Sequence, residues 1–317
     1  MRGDTQATTI GPLPTHSSAR SRRAAVSTRL VWLLWVASLG VLAAVSAGVA
    51  SVDAFGIRVD GLTAVMWTAV TFFSGIVHSY SRRYMAGDAH VDRFFGLVFG
   101  FTIAVMVLVA ADAFALFVLA WLAMGAAMAG LIGHVDGWPQ AQTAARLAGR
   151  YFFASGVLVA AALTTLWWHT GVTSVSAVPD ELAATTPTVV VAAGALLLLA
   201  AMVQSALIPF HTWLLSSMTA PTPASALMHA GFVNAGGILL VRFAPVVSSD
   251  AGLMLAIVAV GAASAIFGKL LKTVQTDVKR ALGCSTIGQM GFMILQAGLG
   301  FFAAAVAHLV LHGFYKA

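Results

Sequence analysis

Ten apolar stretches, each close to the length that crosses a hydrocarbon core, follow one another from about residue 30 to the end of the chain. They lie at roughly 30–51, 61–80, 94–111, 113–133, 150–168, 188–208, 222–243, 252–271, 281–299 and 301–317. A bilayer core of about 30 Å needs about 20 helical residues, so each run reads as one crossing, the last of them cut short. Hydrophobic residues make up 60% of the 317 and charged residues 9%, more apolar surface than a soluble fold of this length could bury. The expected fold is therefore an all-α polytopic membrane helix bundle of about ten spans. Residues 1–28 are polar and read as a disordered tail, leaving 29–317 as the transmembrane domain. The first apolar run is too long for the core of a cleaved leader, and is expected to be retained.

Lys and Arg set the orientation, because they accumulate on the cytoplasmic side of a span. With the N-terminus inside, the inner segments hold Arg2, Arg20, Arg22, Arg23, Arg29, Arg82, Arg83, Arg93, Arg146, Arg150, Lys269, Lys272, Lys279 and Arg280. The outer segments hold Arg58 and Arg242, and Lys316 falls inside the last span. That bias places the N-terminus in the cytoplasm and the loop at 169–187, which carries Asp180 and Glu181 but no Lys or Arg, outside. The bacterial cytoplasmic membrane is the expected location. The net charge of +6 belongs to these helix ends and forms no aromatic-interleaved patch, so no nucleic-acid partner is expected.

The segment from Val203 to Pro245 interrupts this regularity. Pro209, Pro221 and Pro223 open the backbone between two apolar runs, and His229 and Asn234 follow inside the second. Freed backbone groups at membrane depth must be shielded by protein or line a wet cavity, so a discontinuous helix is expected near Pro221–His229. An ionisable group beside such a break is a transport-site candidate; a histidine satisfied within the core is the competing explanation.

The remaining polar groups inside the spans are few: Gln204, His308, His312 and Lys316, with Asp60, Asp112 and Lys269 near span ends. His308, His312 and Lys316 recur every four residues and so share one helical face, a titratable stripe suited to passing protons through water. Each histidine could instead simply bond to a neighbouring helix. On this spacing His312 and Lys316 are expected to matter more than His229, which has no ionisable neighbour within a turn of its own helix. Lys269, behind Gly268, is expected either to snorkel to the interface or to face the bundle. The pair His308 and His312 lacks a third ligand, so no metal is expected, and the single cysteine, Cys284, excludes any multi-cysteine site within the chain. No nucleotide loop, dinucleotide fingerprint or triad ordering is present, so neither a cofactor nor a catalytic site is assigned. The tryptophans, Trp121 and Trp213 among them, are expected at an interface belt.

Three segments carry a family resemblance: PFHTWLLSSMTAPTPASALMHAG, KTVQTDVKRALGCSTIGQMGFM and AHLVLHGFYKA. From VDGLTAVMW at Val59 to the C-terminus the chain resembles the antiporter-like membrane subunits of respiratory complex I, Mrp cation/proton antiporters and Dab inorganic-carbon transporters. Within that group FVNAGGILLVRFAP is most similar to the Dab membrane subunit. The resemblance implies a proton- or sodium-translocating subunit that serves bicarbonate uptake with a large, soluble, zinc-containing, carbonic-anhydrase-like partner. A proton-pumping subunit of NADH-quinone oxidoreductase or of an Mrp antiporter, with other membrane subunits as partners, is the alternative; a non-conducting membrane anchor is a second. It also implies an ion pathway through His229, Lys269, Lys279, His308, His312 and Lys316, with Gln204, Asn234, Pro221 and Pro223 as polar or structural channel positions. Where the complex I pattern has a glutamate and a lysine, this chain has Leu122 and Gln204. Family members run longer, so the chain is expected to be a fragment.

Overall fold

The structure, a computed structural model, describes residues 21–316. Helix α1 is Arg22–Ser46, followed by a small hairpin of β1 (Val52–Ala54) and β2 (Ile57–Val59). Then come α2 (Gly61–Tyr84), α3 (Val91–Ala110), α4 (Phe114–Ile132), α5 (Pro139–Thr170), the single turn α6 (Val178–Glu181) and α7 (Pro187–Gln204). The broken region holds α8 (Thr212–Ser216), α9 (Thr222–Ala230), α10 (Ala235–Arg242) and α11 (Ala244–Val247). The chain closes with α12 (Ala251–Thr273), α13 (Val278–Gly298) and α14 (Phe302–Lys316). The expected helix bundle is what forms.

Eight helical segments of the described residues are long and apolar enough to cross a membrane. They match the first eight expected spans, with α9 and α10 together making one. Helix α13 matches the ninth, but its glutamines, glycines and hydroxyls dilute its hydropathy; α14 matches the tenth and has 15 residues. The first helix starts earlier than expected. Ser21 accepts the amide of Ala24 as an N-cap, so residues 22–28 are helical rather than tail. The rest of the expected tail, residues 1–20, lies outside the described residues.

The two ends of the bundle are knit by different chemistry. At one end Ala111 and Ala113 bridge to Ile57 and Ser174, and both oxygens of Asp112 accept from Ser176, at 2.8 Å from its amide and 2.8 Å from its hydroxyl. At the other, Arg93 binds Asp136 at 3.1 Å and His134 lies 3.2 Å from Asp88. Loop 169–187 therefore sits with Arg58 and Arg242, away from the Arg82–Arg93 end, as the charge asymmetry requires.

Helices α12 and α13 touch backbone to backbone. A Cβ on Gly268 would stand 2.3 Å from the Gly288 nitrogen, so only glycine fits. Close approach through small residues is how helices associate where no hydrophobic effect drives them together. Trp121 and Trp213 depart from the interface belt: both are fully buried, with Trp121 donating to Ser155 and Trp213 to the Val203 carbonyl, each through an indole nitrogen that burial obliges to find a partner.

Candidate ion path at a broken helix

The discontinuity falls just past His229 rather than at the prolines. Pro221 caps α9 and Pro223 lies in its first turn, where a missing amide costs nothing because no intrahelical acceptor exists there. Helix α9 ends at Gly231, a 3-10 turn spans Phe232–Asn234, and α10 resumes at Ala235. Upstream, α7 stops at Gln204 and the chain is irregular up to Thr212, so the break is double. Ser205 donates to the Val233 carbonyl at 2.6 Å, tying the two breaks together and satisfying a freed acceptor.

His229 is fully buried in the last turn of α9. Its Nδ1 lies 3.0 Å from the Thr286 hydroxyl on α13, and that hydroxyl donates to the Leu282 carbonyl at 3.0 Å. A hydroxyl has one proton, so Thr286 accepts from His229 Nδ1–H, and the Nε2 lone pair remains open; it has no protein partner among the described residues. Lys316 on α14 donates to the same Leu282 carbonyl at 3.4 Å. His312, one turn before Lys316, packs against the His229 main chain and likewise leaves its Nε2 unpartnered. Three helices thus bring His229, Thr286, His312 and Lys316 to one buried locus. The reason for ranking His229 below the stripe disappears, because its ionisable neighbours lie across helices rather than along its own.

The other expected residues separate around this locus. Lys279, in the first turn of α13, donates to the carbonyls of Met218 and Ala220 at 3.2 and 3.3 Å and borders a groove of about 430 Å3 with Tyr84, Asp88 and Trp138. His308 bonds Gln296 at 3.1 Å in a lateral groove of about 450 Å3, its ring 6.2 Å from that of His312. Lys269 is exposed on α12, within electrostatic reach of Lys316 and not in the bundle. Gln204 is buried at the end of α7 with neither amide atom partnered, and Leu122 packs on Gly156 of α5. Asn234 donates to the Ala230 carbonyl at 2.7 Å and leaves its Oδ1 free.

Two polar clusters escaped the sequence reading. His78, fully buried in α2, bonds to the Ser74 carbonyl at 2.8 Å, and Ser74 reaches Thr102 on α3. Its only signal was a histidine inside a run already counted as a span. Arg242 binds Asp60 and donates to Thr63 Oγ1 at 2.6 Å and to the Val109 carbonyl at 2.5 Å. Burial works to raise the Asp60 carboxyl, but the Arg242 guanidinium and the Thr63 amide outweigh it and hold it below its ordinary 3.8. The stabilisation is present above that ordinary value and is lost as pH falls through the lower, folded one.

Residues 111–317 match the transmembrane family described as NADH:quinone oxidoreductase/Mrp antiporter, and residues 49–95 match the NADH-ubiquinone oxidoreductase (complex I) chain 5 N-terminus. The chain belongs to this antiporter-like family. Among its relatives is the "Probable inorganic carbon transporter subunit DabB1" of Halothiobacillus neapolitanus, 38% identical over 81% of this chain and 47% of that protein. The NADH-quinone oxidoreductase subunit L of Mycobacterium tuberculosis is 37% identical over 86% of this chain and 43% of its own length. The Mrp complex from Dietzia sp. DQ12-45-1b contains a chain that superposes with a TM-score of 0.84 at 28% identity, covering 93% of this chain and 34% of that one. This antiporter-like chain therefore spans about half the length of the curated relatives it matches.

Proposed function

We propose that this chain is an ion-translocating membrane subunit that couples a proton or sodium gradient to inorganic carbon (bicarbonate) uptake, in the bacterial cytoplasmic membrane. Its partner in this reading is a large, soluble, zinc-containing, carbonic-anhydrase-like subunit that holds the chemistry. One observation carries the conducting part: the buried convergence of His229, Thr286, His312 and Lys316 beside a broken helix. A proton reaching the open Nε2 of His229 makes an imidazolium whose Nδ1–H stays on Thr286; His312 and Lys316 offer the next titratable sites. Lys279 and its groove supply the cytoplasmic approach, and His308 the lateral one. Lys269 serves as an electrostatic neighbour of Lys316 rather than a stop on the path. The carbon-uptake part is supported by the DabB relatives, at 38% identity in both Halothiobacillus neapolitanus and Bacillus subtilis. The similarity to subunit L at 37% supports a second reading, a pumping subunit of a quinone-reductase or Mrp assembly.

Gradient-driven bicarbonate uptake by the complete protein with its neighbouring gene product tests this. His229→Ala, His312→Ala and Lys316→Ala should each lower uptake at least tenfold at unchanged expression. Full uptake in all three variants would favour the non-conducting anchor. Copurification with quinone-reductase subunits instead of a zinc protein would favour the second reading.

A further inference from the structure

We propose that the extracytoplasmic mouth of the path is the Asp60–Arg242 cavity, and that a small apolar cavity between it and the helix break is a dry gate held shut by Arg242. The inference rests on the conducting reading above and adds to it a mouth and a closing element.

Two cavities lie near the outer ends of α2, α3 and α10, one lined by Asp60, Ala111 and Arg242 and the other by Met66, Val109 and Ile238. The outer one, about 210 Å3, is bounded by Asp60, Arg242, Asp112, Ser176 and Arg58 at the end of the bundle that the charge asymmetry assigns to the exterior. The inner one, about 40 Å3, lies among α2, α3, α4, α9, α10 and α14 and is lined by Met66, Phe101, Val105, Val109 and Ile238 down to Asn234. Helical spacing explains the arrangement. Met66 stands three residues after Thr63, and Ile238 four before Arg242, so one face of each helix is polar at its outer end and apolar a turn deeper.

Arg242 is the partition. Its guanidinium binds Asp60 and Thr63 while Nε and Nη2 both donate to the carbonyl of Val109, whose residue also lines the inner cavity. The inner cavity has room for a water molecule, but its side chains are apolar except Asn234, a buried residue whose Oδ1 is the one unpartnered side-chain polar atom on the wall. A buried water needs two to four polar partners, so this lining disfavours wetting and an ion meets an apolar barrier. Displacing Arg242 changes both conditions at once. The Val109 carbonyl becomes a second acceptor above Asn234, and the water of the outer cavity becomes continuous with the break beside His229.

Silver ion, a thiol-reactive cation of dehydrated-ion size, reads this closure directly. The full-length protein would carry Cys284→Ser and Ala235→Cys, the latter on the inner cavity wall; a Phe55→Cys variant on the exposed hairpin is the reference. Silver is pulsed outside intact cells, and unreacted thiol is counted with a fluorescent maleimide after denaturation. With Asp60 and Arg242 intact, Ala235→Cys should react at least a hundredfold more slowly than Phe55→Cys. Adding Asp60→Asn, or Arg242→Gln should the first variant misfold, should speed it at least fivefold. A smaller acceleration in the variants that fold, or free reaction with the pair intact, overturns the proposal. The readout needs no ion flux. Failed transport with gated reactivity sinks the conducting reading alone, and working transport with ungated reactivity sinks the gate alone.

Discussion

Thr286 is the residue on which the buried locus turns. Its hydroxyl links the His229 imidazole to the Leu282 carbonyl that Lys316 also uses, so it fixes the tautomer of His229 as well as its position. Thr286→Val keeps the shape and removes the acceptor, leaving a buried N–H unpaired at a cost of about 1–3 kcal/mol. The expected outcome is a lowered melting temperature in detergent and at least a tenfold loss of ion flux in proteoliposomes, with Thr286→Ser near wild type. Normal flux in Thr286→Val would remove the hydroxyl from the path. This residue was not legible in the sequence. A threonine in an apolar run has no distinguishing signal until the fold sets a histidine from another helix against it.

At the scale of elements, the broken helix depends on how closely α7 and α10 approach. A Cβ on Gly236 would lie 2.3 Å from Ser205 Oγ and 2.7 Å from the Ala201 carbonyl, so the hydrogen bond joining the two breaks exists only because residue 236 is glycine. Gly236→Val should destabilise the protein by about 1–3 kcal/mol through overpacking and disturb the break. Gly100→Ala on α3, where nothing lies within 4 Å, should change stability by less than about 1 kcal/mol. Thermal unfolding of the two variants in one detergent makes the comparison; equal behaviour would refute the close-packing account. Proline content announced that this region was irregular, yet the interruption at Gly231–Asn234 comes about two turns after the last proline that announced it, Pro223. Prolines within a first turn start helices; the unwinding follows where Ser205 can satisfy a freed carbonyl.

For the whole molecule, the charged residues sort to two ends, with Arg58, Asp60, Asp112 and Arg242 around one cavity and Asp88, Arg93, His134 and Asp136 in the opposite ion-pair cluster. On the positive-inside argument the second end faces the cytoplasm. Cysteines placed at Gly87 and at Thr185, in a Cys284→Ser background, should be labelled by an impermeant maleimide only in inverted vesicles and only in intact cells, respectively. The reverse pattern would invert the assignment of the mouth and of the cytoplasmic approach together.

The sequence by itself determined the class, the positions of the spans, the family and most of the polar groups that meet at depth, because apolar length, charge bias and long motifs are properties of a linear pattern. It also singled out Gln204 and Leu122 as departures from the complex I pattern; in the fold Leu122 packs on Gly156 of α5. Only the tertiary structure decided which polar groups are neighbours. His229 joined His312 and Lys316, Lys269 went to the outer surface, and Asp60 found Arg242 across 182 residues. The physical reason is that inside a bilayer each polar side chain must find a partner or water, and which partner is near depends on helix packing, which small residues far from those side chains control.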